Sequence, residues 1–90
     1  MEQARLAFAD GRWQEAARQA QTAGGAEGYA YAARALVAQL MLEPDHPDRR
    51  ALTRRAVNLA EAAYREDSES ADVRLRLALS LGYQGRYTGT

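Results

Sequence analysis

The chain has no cysteine, no lysine and no isoleucine, and it has only two prolines and one histidine. The missing cysteine excludes disulfides, zinc–thiolate sites and thiol nucleophiles. Without isoleucine, the β-branched apolar side chains are reduced to Val37, Val57 and Val73, and no alternating run of strand formers occurs. No apolar run approaches the roughly 20 residues that span a bilayer. The best stretch, Leu36 to Leu42, is interrupted by Gln39. The opening residues, Met1-Glu2-Gln3-Ala4-Arg5, lack the basic start and apolar centre of a secretory signal. The compartment, cytoplasmic or periplasmic, stays open. A net excess of either charge is also missing: 12 basic residues face 12 acidic ones. That removes the electrostatic case for bulk nucleic-acid binding, which needs a basic excess or a basic face.

What is present is mostly Ala, Leu, Arg, Gln and Glu, all good helix formers. The hydrophobic fraction, 47%, is that of a folded chain. The composition therefore predicts one all-α domain over the 90 residues. The all-arginine basic set reads first as a genome-composition habit.

Glycine and proline punctuate the chain into five helices. They are expected at about 2–10, 13–23, 28–42, 48–66 and 71–84. Gly11 offers a left-handed cap for the first helix, and Gly24-Gly25 break the second from the third. The one real loop is Glu43 to Asp48, with Asp45 and Asp48 spaced as in a capping box and Pro47 in a first-turn position. Ser70 is a ready N-cap for the fifth helix, and the tail from Gly85 reads as another turn. The fifth helix carries Val73, Leu77, Ala78 and Leu81 on one face and Leu75 and Leu79 on a second. Short helices joined by tight turns pack as antiparallel hairpins.

A repeat is visible. Ala16, Ala20 and Ala23 recur in spacing as Ala56, Ala60 and Ala63. Gly11-Arg12-Trp13 returns as Gly85-Arg86-Tyr87. Ala16 to Ala56 is a step of 40 residues. That is one period of about 34 plus about six, most of them placed in the proline loop. The pattern resembles the tetratricopeptide repeat, a helix–turn–helix unit of about 34 residues. Leu77-Ala78 with Leu81, then Gly85 and Tyr87, match its first helix and turn. Gly11, Trp13, Ala16 and Ala23, with Ala56 and Ala63, match its turn and second helix. The departures are Arg74 in the early Trp slot and Ala20 and Ala60 in the second-helix aromatic slot. Ser68 and Gly28 stand where proline is customary. In the third helix either Ala33 with Leu36, or Val37 with Ala38, can be the packing pair.

The resemblance implies a short right-handed solenoid of stacked hairpins. It also implies a non-catalytic scaffold whose first helices line a concave groove for a partner peptide or helix. Carried over, the groove would take Arg5 and Phe8 from the first helix and draw on Arg34, Leu36 and Gln39 of the third. The fifth helix would give it Asp72, Leu75, Arg76, Leu79 and Tyr83. The sequence starts inside a first helix and stops before a partner for the fifth, so it reads as a stretch of a longer repeat protein. The alternative reading is a self-association module that forms a homodimer through Leu77, Leu81 and Tyr87.

Candidate chemistry is sparse. His46 stands alone between prolines and reads as a loop residue rather than a metal ligand, and no cofactor is expected. Ser68, Ser70 and Ser80 read as caps or helix surface rather than nucleophiles. The acidic cluster Glu66, Asp67 and Glu69 reads as a solvated turn. Arg49, Arg50, Arg54 and Arg55 read as a solvated convex face, with a phosphate or acidic-peptide grip as the alternative.

Overall fold

A computed structural model describes residues 1–88, and side chains through residue 86. It contains five α-helices and, among the described residues, no strand. They are α1 (Glu2–Ala9), α2 (Trp13–Ala23), α3 (Gly25–Leu42), α4 (Arg49–Glu66) and α5 (Ala71–Thr88).

The breaks have local causes. α1 stops in a Schellman motif: Gly11 sits at φ +73° and its N–H donates to Phe8 O at 3.0 Å. The next N–H, of Arg12, reaches back to Ala7 O at 2.9 Å. α2 and α3 are separated by Gly24 alone, and Gly24 and Gly25 both have positive φ. α3 therefore begins at Gly25, three residues before the expected start. The proline loop is capped differently from expectation. Asp48 makes no side-chain cap. Instead its N–H donates to His46 Nδ1 at 3.0 Å, and Arg49 Nη1 donates to His46 O at 3.2 Å. Ser70 Oγ accepts from Val73 N–H at 3.2 Å, capping α5 as its position in the sequence suggests.

α5 is the largest departure. Gly85 does not adopt positive φ, so the helix passes the expected turn and continues to Thr88. Tyr87, expected as a turn plug and self-association residue, lies outside the described side chains.

Each helix packs on the next, and α3 also packs on α5. Side chains of α1 reach α3, as Phe8 meets Tyr31 with ring centroids 5.6 Å apart. Arg55 Nη2 of α4 donates to Gln21 Oε1 of α2 at 3.2 Å. The Cα extents are 32 × 29 × 16 Å, about two helix layers thick.

The core is largely alanine. Ala16, Ala20, Ala33, Ala56 and Ala60 are fully enclosed around Leu36 and Leu40, and Ala63 is enclosed in a smaller cluster with Ala30 and Val73. Ala23, expected as the third small packing position of α2, is exposed. Small side chains let helix axes approach closely, and the tightest approach is at Gly28. A Cβ there would lie 2.5 Å from the carbonyl oxygen of Ala20. On the outer face of α2, Glu15 is hydrogen-bonded by Arg18 at 2.6 Å and by Gln19 at 3.0 Å. Those bonds, Arg18 first, lower its pKa from 4.5 to about 2.

Two buried polar atoms, Gln39 Oε1 and Ser80 Oγ, have no hydrogen-bond partner among the described residues. An enclosed hydroxyl without a partner carries an uncompensated desolvation cost of about 1–3 kcal/mol. Alanine is also the better helix former. Ser80→Ala is therefore expected to raise stability by about 1 kcal/mol. A urea midpoint unchanged or lowered by this substitution counts against the burial of Ser80.

Candidate interaction surface

The expected groove residues fall into three groups. The first is built where α1 crosses α3. Phe8 packs edge-on against Trp13, at 5.1 Å between centroids and 83° between planes. Its other neighbour is Tyr31. The Arg34 guanidinium lies over both rings, 4.9 Å from Phe8 and 5.6 Å from Tyr31. Arg34 remains exposed, so the aromatic faces orient its charge without hiding it. Nearby, Arg5 approaches Glu27 at 3.5 Å, with both side chains more than half exposed. Such a pair contributes little to stability and is free to exchange partners.

The second group lies along α5. Arg76 Nε donates to Asp72 Oδ1 at 3.1 Å, and Arg76 Nη2 lies 3.0 Å from the same oxygen as an ion pair. Leu75 and Leu79 are exposed by 49% and 41%. Tyr83 is partly buried against the core, and the Arg86 guanidinium stands 5.9 Å from its ring. Ala78, Leu79, Gly82, Tyr83 and Arg86 line a shallow depression of about 310 Å³.

The third group does not reach the surface. Leu36 is fully enclosed, and Gln39 is buried with it in the centre of α3. Neither can meet a partner. The stripe of α3 that opens outward is Glu27, Tyr31, Arg34, Ala38 and Met41. The signal for it is present in the sequence. Glu27 and Arg34 are the only charged residues of α3, and they stand two turns apart on one face. Apolar periodicity could not find this stripe, because α3 is apolar around most of its circumference.

The self-association residues are also rearranged. Leu77 is half-buried and packs inward against the core. Leu81 is 44% exposed, but it lies on the flank of α5 away from Leu75 and Leu79.

No family model matches this chain, and neither a curated protein nor a solved structure matches it. The remaining features are local. Pro47, Asp48, Arg49, Arg50, Ala51 and Arg54 line an open recess of about 440 Å³ at the start of α4. Arg50 and Arg54 are exposed there. Among the described residues no three His, Asp, Glu or Cys side chains converge on one point. No described helix is long and apolar enough to cross a membrane.

Proposed function

We propose that this chain is a non-catalytic interaction scaffold of tetratricopeptide-like build. A peptide or helix of a partner protein lies across α1 and α3, beside Arg34. The observation that carries the reading is Arg34, exposed and stacked over Phe8 and Tyr31. Arginine backed by aromatic rings is the composition of binding hot spots, because it offers charge, planarity and apolar area at little entropic cost. The side-chain contacts of α1 with α3, and the single Arg55–Gln21 hydrogen bond between α4 and α2, support stacked hairpins. So does the packing of α3 on α5. The chemistry at Arg34 and Arg5 selects a partner segment with a carboxylate beside an apolar or aromatic residue.

The test is selection from a random-peptide display library against the intact chain. Acidic–apolar sequences are the expected winners. Arg34→Glu should weaken them tenfold or more, about 1.4 kcal/mol, with an unchanged circular dichroism spectrum. Arg50→Glu with Arg54→Glu, away from the surface, should leave binding intact. A library that returns no binder, or binders indifferent to Arg34→Glu, would overturn the reading.

A further inference from the structure

The outward stripe of α5 is self-complementary. Asp72 stands seven residues before Leu79, and Arg86 stands seven residues after it. Seven residues are close to two helical turns, so Asp72, Leu75, Leu79, Gly82 and Arg86 share one face. Asp72 and Arg86 are separated by about 21 Å along the axis. A two-fold axis through Leu79 would place Asp72 of one copy against Arg86 of a second copy, at both ends of the contact. Leu79 would then meet Leu79, and Leu75 would arrive level with Tyr83. That is where Ala78, Leu79, Gly82, Tyr83 and Arg86 form the depression described above. A parallel pairing would instead oppose Asp72 to Asp72 and Arg86 to Arg86, so charge selects the antiparallel one.

Gly82 gives independent support. A glycine in a helix interior is destabilising relative to alanine. Gly82 has no positive φ, and a Cβ added to it would meet nothing within 4 Å among the described residues. None of the described residues of one copy requires a glycine there. A second helix crossing over Gly82 does require it, because only the bare backbone admits a leucine from the facing helix. The hydrogen bond and the ion-pair contact of Arg76 both fall on Asp72 Oδ1, and 60% of the Asp72 side chain stays exposed. Asp72 can therefore accept a second guanidinium.

We propose that two copies of this chain associate through α5 as an antiparallel two-fold pair centred on Leu79. The paired elements are Asp72 with Arg86, Leu75 with the Tyr83–Gly82 depression, and Leu79 with itself. A single helix-on-helix contact lies at the small end of specific interfaces, so the expected dissociation constant is about 10–100 µM.

The test is sedimentation equilibrium of the full chain from about 5 to 500 µM. A reversible monomer–dimer equilibrium is expected. Asp72→Arg and Arg86→Asp should each weaken it tenfold or more. Mixing these two variants should restore association, because each end of the mixed dimer then pairs opposite charges. Gly82→Leu should abolish the dimer while its melting temperature, measured at low concentration, is held or raised. This pairing keeps a folding defect from imitating the result. Arg34→Glu should leave the dimer unchanged, so the scaffold reading and this one fail separately. A parent chain monomeric at the highest concentration overturns the proposal and leaves the face to another occupant. So does a dimer indifferent to Gly82→Leu, or charge variants that mixing does not rescue.

Discussion

Gly28→Ala should destabilise this protein, although alanine is the best helix former and Gly28 lies inside a helix. Propensity alone favours alanine by about 1 kcal/mol. Against it stands a Cβ placed 2.5 Å from the backbone oxygen of Ala20. That oxygen belongs to α2 and cannot rotate away as a side chain would. α2 cannot swing aside either, because only Gly24 separates it from α3. The two helices must part along their tightest line, which also loosens the fully enclosed Ala16 and Ala20. Overpacking of this kind costs about 1–3 kcal/mol. With a backbone atom as the obstacle we expect the upper part of that range, for a net loss of about 1–2 kcal/mol. The same substitution at Gly82 is the internal control. A Cβ there meets none of the described residues within 4 Å, so Gly82→Ala should stabilise the monomer by up to about 1 kcal/mol. Urea unfolding of both variants below the association range checks the pair. Shifts of the same sign would refute the close approach of α2 and α3.

Leu36→Ala is expected to cost about 4 kcal/mol, in the upper half of the range for buried leucine. The size follows from what surrounds it. Leu36 is fully enclosed in a core whose other members are mostly alanine. Alanine has no χ angle, so its neighbours cannot rotate into the space a leucine leaves. The cavity stays open, and the cost of a large-to-small change rises with the cavity that remains. A domain of this size has roughly 5–13 kcal/mol of stability in total, so one substitution removes a large share of it. The outcome also separates two roles for this residue. A groove-facing Leu36 would lose a few tenths of a kcal/mol on truncation, as ordinary surface sites do. A core Leu36 loses several. A midpoint shift near zero in urea would return it to the surface.

The same contrast shows where reading the residues in order stops. Leu36 and Gln39 look available in the sequence because α3 is apolar on nearly every side. A helix that is apolar on most sides has no wide polar face against which to set its register. The single Glu27–Arg34 pair, two turns apart, marks the outer stripe more reliably than hydrophobicity does. Phe8 and Arg34 are legible as individual candidates. Their union is not, because Phe8 stands on α1 and Arg34 on α3, and they meet only when those helices pack. In α5, Leu75, Leu77, Leu79 and Leu81 are chemically identical. Which of them packs inward depends on where α3 and α4 lie.

The all-helical class, the number of helices and most of their limits are written in the order of the residues. They follow from local physics. Ala, Leu, Glu and Arg favour helix at every position, and Gly11, Gly24, Pro44 and Pro47 interrupt it wherever they fall at a boundary. Local rules failed where a glycine was not a break. Gly28 and Gly85 both continue helices, because the backbone there keeps helical φ. The tertiary structure alone decided that Gly28 is the contact between α2 and α3. It also turned Leu77 toward the core and left Leu75 and Leu79 facing out. Periodicity assigns residues to faces of one helix, but burial depends on which neighbour covers each face, and that is set only when the helices pack.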